Sequence, residues 1–501
     1  MDSSNNGLYL KMSQTNSIDT NRYEIKSSAD VSSLVSKFAG QGKSNKVIWL
    51  ALIGVFIDAY DLTTLSFGID QVVEEFSLTP IMTGVVASAI ICGTIVGNLV
   101  GGWLTDKIGR YRVFMADMVL FVIAAIVAGF APNVWVLIIA RFIMGISVGI
   151  DLPVAMSYLS EFSKFSGKSN KAARLAAWCP MWYAASSVCF GIVLALYFLL
   201  PPEHINWLWR ASLIFGAVPA LFIIFIRSKY LTESPIWLAN QGDLDGAAKI
   251  LRESYDINAF ASNEPVVKKV ESKSSKLSFK VLLNKTYLPR TIVSLVIHVS
   301  VAFQYTTIAF FLPSILMRFF HTDVLTTITT TLGLNLLFAF TGGLLGIYIA
   351  SRLASRHILL VGFFLQFVAL IVLSYIGEPQ HPYLVYTAII MLGLWLFAEG
   401  FGPGAQMMVY PTMAYPAEIR GIGVGFNRAV TGVAQASAMF LLPIWMARYQ
   451  TDVFLIISIF AVIPLVVIGL LIKYEPTAQD IDAKDPEHHK KQSLDAVPLA
   501  D

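Results

Sequence analysis

Runs of about twenty apolar residues recur twelve times along this chain, at 47–70, 81–104, 113–131, 134–160, 174–199, 208–228, 290–318, 325–350, 357–377, 383–411, 421–447 and 453–473. Roughly twenty such residues are the length an α-helix needs to cross a bilayer. The windows therefore predict an all-α membrane protein of twelve transmembrane helices. Composition agrees: 56% of the 501 residues are hydrophobic and 14% charged, against about a quarter charged in soluble domains. A net charge of +3 over that length gives no footing for a nucleic-acid partner. The expected surrounding is the lipid bilayer.

The basic residues set the orientation. Lys107, Arg110 and Arg112, then Lys164, Lys168, Lys171 and Arg174, then the long 229–289 segment, then Arg352 and Arg356 fall on one face, while the opposite loops offer Arg210, Arg318 and Arg448. Loops rich in Lys and Arg stay in the cytoplasm, and an even number of spans puts both ends on one side. Both termini are expected to be cytoplasmic, in a multi-pass protein of the plasma membrane, or of the inner membrane in a Gram-negative source. The expected divisions are a mobile cytoplasmic tail at 1–46, a six-helix half at 47–228, a cytoplasmic loop at 229–289, a second half at 290–473 and a tail at 474–501. The first tail is polar and lacks the apolar core of a signal peptide, so the first helix serves as an uncleaved insertion signal. Cys92, Cys179 and Cys189 all lie in apolar windows without metal-ligand or redox spacing, and are packing residues on this reading. No metal site and no cofactor is expected.

One short charged turn stands between the second and third windows: Gly101-Gly102-Trp103-Leu104-Thr105-Asp106-Lys107-Ile108-Gly109-Arg110-Tyr111-Arg112. Gly109 permits a tight bend, and Asp106 is placed to accept from the first amides of the next helix. Upstream, Gly93, Gly97 and Gly101 recur every fourth residue, which lines one helix face with small residues for close packing in lipid. The pattern Gly-x-Leu-x-Asp-Lys-x-Gly-Arg-x-Arg resembles the signature of the major facilitator superfamily between its second and third helices.

Further motifs extend the resemblance from about residue 47 to 473. Thr232-Glu233-Ser234-Pro235-Ile236-Trp237-Leu238, followed by a helical run at 245–254, is similar to the Pro-Glu-Ser-Pro-Arg-Trp-Leu element of sugar porters, with Thr and Ile in place of the first Pro and the Arg. Two six-helix halves suggest an internal duplication. The second copy of the signature turn is degenerate, with Ser351 where Asp106 stands in the first. The resemblance implies a cytoplasmic salt-bridge gate made by Gly102, Asp106, Gly109, Arg110, Glu161 and Arg174. Its counterpart in the second half is incomplete, because Met413 stands where relatives carry Glu.

A charged side chain inside a bilayer costs several kcal/mol unless paired or hydrated, so each is a functional candidate. Asp58 and Asp61 lie in the first window at i,i+3 spacing, on nearly one helix face. Two carboxylates that close in a low dielectric do not both ionise easily, so one of them is expected to hold a proton. The fourth window carries Arg141, Gly145, Gly149 and Asp151, and its Arg-x-x-x-Gly-x-x-x-Gly run resembles the superfamily's fourth-helix motif. In proton-coupled sugar porters an Asp after Gly-Tyr pairs with that Arg; Tyr60-Asp61 and Arg141 match the arrangement. Asp61 is the leading coupling carboxylate, a permanent Asp61–Arg141 structural pair is the alternative, and Asp58 and Asp151 remain candidates. In the second half His298, Gln304, Tyr305, Asn335, Trp395, Glu399, Gln406, Asn427 and Arg428 are polar or amphipathic groups at membrane depth, expected to face a central solute cavity or to bond between helices.

The function that the resemblance implies is secondary active transport by alternating access: proton-coupled uptake of a small organic metabolite such as a sugar acid, carboxylate, polyol or sugar, by a protein expected to be a monomer. The helix-7 signature of hexose porters is replaced by Ile297-His298-Val299-Ser300-Val301-Ala302-Phe303, and Ser300 stands where phosphate symporters carry Asp. Proton-driven export of a drug or metabolite and a non-transporting membrane sensor are the alternatives. No nucleotide loop, metal cluster or nucleophile–base set points to an enzyme.

Overall fold

The computed structural model describes residues 22–38, 44–162, 172–173, 175–262, 279–415 and 417–470. The first half is built from α2 (Ser44–Phe76), α3 (Pro80–Ile108), α4 (Arg110–Gly129), α5 (Val134–Phe162), α6 (Trp178–Leu199) and α7 (Leu208–Tyr230). The second half holds α10 (Leu288–Phe310, continued by Leu312–Phe319), α11 (Val324–Ala350), α12 (Ser355–Ile376), α13 (Pro382–Phe401) running on as α14 (Pro403–Ala414), α15 (Ala417–Tyr449) and α16 (Val453–Leu470). Among the described residues ten segments are long and apolar enough to span a membrane. The last of them, Ile422–Leu470, covers both α15 and α16, and α2 is a further helix of 33 residues.

Ends of the helices are written locally. Thr79 accepts from the Met82 amide with Pro80 in the first turn of α3, and Asp323 accepts from Leu325 and Thr326 at the start of α11, as N-caps do. Gly109, at φ +106°, is the single residue between α3 and α4; a side chain there would be strained.

The glycine repeat decides the tightest helix pair. Gly93 and Gly97 of α3 lie against the backbone of α5 at Phe142, Gly145, Ile146 and Gly149, and Gly145 and Gly149 in turn lie against the carbonyls of Ile90 and Thr94. A Cβ at any of these would overlap backbone, so the stripe on α3 and the one on α5 are two sides of one contact. The halves meet along two similar seams. Gly84 of α3 packs on the Phe440 carbonyl of α15, and Gly343 of α11 packs on Pro180 of α6.

The tail expected at 1–46 is corrected in part. Residues Tyr23–Ile25 (β1) pair in parallel with Ala259–Ala261 (β2), and α1 (Ser28–Phe38) packs on α8 (Pro235–Asn240) and α9 (Leu244–Tyr255). Ile25 and Val31 are fully buried there with Ala247, Leu251 and Ala259. Each such aliphatic residue contributes about 1.5–3 kcal/mol, which is why a stretch rich in Ser still folds. The same cluster reaches Val113 and Phe114 of α4 and Ile150 of α5, so this small module sits on the signature-turn end of the bundle.

Candidate solute path and proton-coupling site

One helix carries most of the site. Along α2, Asp61 meets Arg141 of α5 at 3.5 Å, Thr63 Oγ1 lies 3.0 Å from Ser186 Oγ of α6, Ser66 Oγ donates to the Phe310 carbonyl of α10, and Asp70 accepts from Ser314 and pairs with Arg318 at 3.7 Å. These positions run over nine residues, about 14 Å of helix.

Asp61 and Arg141 are both buried, yet their contact is electrostatic only. Among the described residues Asp61 Oδ2 and the Arg141 guanidinium nitrogens make no hydrogen bond, and neither does the adjacent Tyr60 hydroxyl. A buried pair so poorly bonded gains little over its desolvation cost. The side chain of Asp58 lies outside the described residues. Asp151, grouped with this pair from the sequence, is elsewhere: it accepts from Arg227 of α7 at 2.9 Å, and that guanidinium sits 3.5 Å from the Phe114 ring and donates to the Phe114 carbonyl. Arg227 escaped notice because it ends an apolar window, where a basic residue reads as a topology charge.

Between the halves lies a narrow cleft lined by Thr63, Ser66, Trp182, Ser186, Tyr305, Thr306, Asn335 and Gln435 with apolar neighbours. Every described side chain on its wall is uncharged. Trp182 Nε1 donates to Tyr305 Oη at 2.5 Å, with the rings edge to face. Beyond it, toward the end opposite the signature turn, Asp70, Ser314 and Arg318 line a second cleft.

Of the nine cavity candidates, Tyr305 and Asn335 are on the wall. The other seven lie off that wall, and most of them take the second alternative, a bond within or between helices. Gln304 Nε2 donates to the Phe460 carbonyl while its Oε1 accepts from Trp395 Nε1; Glu399 accepts from Gln366 Nε2 at 2.6 Å; His298 Nδ1 lies 2.7 Å from the Ser294 carbonyl; Asn427 Nδ2 donates to the Gly423 carbonyl; Arg428 meets Met408 Sδ. Gln406 is buried, and its Oε1 takes no hydrogen bond among the described residues. The bonds of these residues stay inside their own half, those of His298 and Asn427 at the carbonyl one turn back. The small hydroxyls of Thr63, Ser66 and Ser186 were missed for the same reason: in a long apolar window they give little signal.

At the signature turn Glu233 accepts from the first amides of α4, at 2.8 Å from Arg110 N and 3.1 Å from Tyr111 N, and Arg110 Nη1 donates to Ser234; the side chain of Asp106, expected in that role, lies outside the described residues. The Glu233 carboxylate closes against Gly109, where a Cβ would crowd it. Arg174 and the side-chain surroundings of Gly102, Asp106 and Glu161 lie outside what is described, so of the gate Gly109 and Arg110 are seen.

The profile of a family described as "Sugar (and other) transporter" matches residues 47–474. The inner membrane metabolite transport protein YgcS of Escherichia coli is 28% identical over 401 residues, covering 80% of this chain and 84% of that protein. The niacin transporter NiaP of Acinetobacter baylyi is 26% identical over 77% of this chain and 83% of that one. The proton:xylose symporter XylE bound to 6-bromo-6-deoxy-D-glucose superposes with a TM-score of 0.66 at 16% identity, covering 90% of this chain and 99% of that one. That likeness is one of fold.

Proposed function

The chain belongs to the sugar (and other) transporter family, within the major facilitator superfamily, and from that premise we propose that it carries a small organic metabolite inward with a proton by alternating access. It does so in the plasma membrane with both termini in the cytoplasm. The observation that carries this is α2, which bears the acid of the buried ion pair, three residues of the cleft wall and the Asp70 contacts across the halves.

The proton binds Asp61. A proton on the carboxylate cancels its charge and releases Arg141, which weakens the hold of α5 on α2. The same helix carries Thr63 and Ser66 at the solute and Asp70 at Ser314 and Arg318, so its movement registers at both. An ionised Asp61 re-forms the pair and resets the helix.

The wall favours the polyol and sugar end of the expected substrate range. It offers hydroxyls, two amides and the Trp182–Tyr305 corner to a solute with a flat face, and no cation among its described residues to hold a carboxylate. The test is uptake into proteoliposomes of labelled sugars, polyols, sugar acids and carboxylates, with and without an inward proton gradient, in the parent and Asp61→Asn. The expected result is that a neutral solute accumulates only with the gradient, and that the variant exchanges it but concentrates it at least about tenfold less, the loss of about 1.4 kcal/mol of drive. Equal accumulation in the variant overturns the role of Asp61. Accumulation driven by an outward gradient makes the protein an exporter.

A further inference from the structure

The mechanism above makes no use of Glu399, a buried acid of the second half. Glu399 is 1% exposed, three residues before α13 breaks at Gly402–Pro403. Pro403 has no N–H, so the Glu399 carbonyl loses its helical partner, and broken backbone at membrane depth is tolerated where protein or a cavity encloses it. Across the break stands the other half of the molecule: a Cβ at Gly404 would lie 3.0 Å from Glu399 Oε1 and 3.4 Å from Cys179 Sγ of α6, and Cys179 reaches the Gly400 carbonyl at 3.7 Å. The carboxyl is thus set into the seam between halves.

Among the described residues its surroundings contain no cation. From α12 comes Gln366, whose amide donates to the carboxylate at 2.6 Å and whose Oε1 makes no hydrogen bond among the described residues. From α6 come Cys179 and Tyr183, and from α10 Tyr305, all within electrostatic reach. Against the neighbouring backbone α11 presents Ala339, Gly342 and Gly343, and α14 presents Gly404. Asp61 has Arg141 and Asp151 has Arg227; Glu399 has neither a guanidinium nor an ammonium among the described residues.

We propose that Glu399 is a second proton-binding position of this carrier, filled while the seam at Cys179 is closed and emptied when the seam opens to water. A lone carboxylate enclosed by apolar and amide groups costs several kcal/mol. The closed seam accommodates the neutral acid, and hydration on opening releases the proton. The step is a proton equilibrium with water and needs no other reactant. It rests on the alternating-access reading given above and adds a second acid to it.

Cys179 supplies a readout independent of any solute or gradient. In protein carrying Cys92→Ser and Cys189→Ala, the rate of maleimide labelling at Cys179 is measured in liposomes between about pH 6 and pH 9, a range that spans the ordinary His-to-Cys titration region, and divided by the rate in the same background with Glu399→Gln. Thiol chemistry common to both divides out. The ratio is expected to rise at least about tenfold, as ionised Glu399 parts the seam, and Glu399→Asp is expected to keep the rise. Direct repulsion of the thiolate by an ionised carboxylate has the opposite sign and lowers the ratio. A flat or falling ratio overturns the proposal, as does a parent rate that follows sodium instead of pH. Failure here leaves the Asp61 uptake test standing, and failure of that test leaves this one interpretable.

Discussion

Helix α5 contributes to two buried ion pairs, and they are built differently. Arg141 meets Asp61 at 3.5 Å with no hydrogen bond from its guanidinium nitrogens among the described residues, whereas ten residues on Asp151 takes a 2.9 Å hydrogen bond from Arg227 Nη1, and that guanidinium also lies on the Phe114 ring and bonds its carbonyl. In a low dielectric the second arrangement returns more of its desolvation cost, because attraction, hydrogen bonds and ring contact act together. The first returns little and is easily exchanged for a protonated acid. A helix that must hold one neighbour and release another needs both kinds.

The sharpest way to break this comparison is to strip one cation from each pair. Arg227→Met leaves Asp151 buried without its partner and is expected to lower stability by about 3–5 kcal/mol, with Asp151→Asn in addition restoring much of the loss. Arg141→Met should cost clearly less. Thermal unfolding in detergent, followed by tryptophan fluorescence, measures both; equal losses would remove the distinction between a lock and an exchangeable pair.

A smaller effect tests whether the tight pair sits in a clamp. Glu233 bonds the first amides of α4 one turn before Phe114, at the positive end of that helix. Glu233→Ala is expected to cost about 1–2 kcal/mol and to speed trypsin cleavage within the module formed by α1, α8 and α9. Unchanged proteolysis would mean the module is held by its apolar cluster alone.

The smallest expected effect lies in the second half. Asp323 caps α11, and its bonds from Thr326 and Leu325 hold its carboxyl below the usual range. A lowered value in the fold means the cap contributes fully at neutral pH and fades as acidification passes down through that value. The difference in unfolding temperature between the parent and Asp323→Ala is therefore expected to be slight at neutral pH and to vanish in acid; a difference that grows in acid would refute the assignment. Being fully exposed, this cap is the reference against which the enclosed Glu233 cap is judged.

Much of the frame was legible because lipid narrows the choices. Gly93, Gly97, Gly145 and Gly149 announce a close contact by spacing alone, and the bilayer makes Asp61 and Arg141 conspicuous. What escaped has physical reasons too. Glu233 is distant in sequence from the helix it caps. Residues 22–38 are polar in composition, yet Ile25, Val31, Leu34 and Val35 fall on one buried face. Gln304, Trp395 and Asn427 looked like solute ligands but spend their polarity on bonds within their half, while plain hydroxyls took the wall.

Two wall residues share a further trait. Tyr305 opens a π-helical turn, Tyr305–Phe310, in α10, and Asn335 opens another, Asn335–Phe340, in α11. A π turn holds one residue more than the α turn it replaces, so returning it to α winding turns everything beyond it by about 100°. The chamber's lining is thus set by winding number as much as by side-chain identity: deleting a single residue from either segment would rotate a new set of faces inward while both helices stay in place.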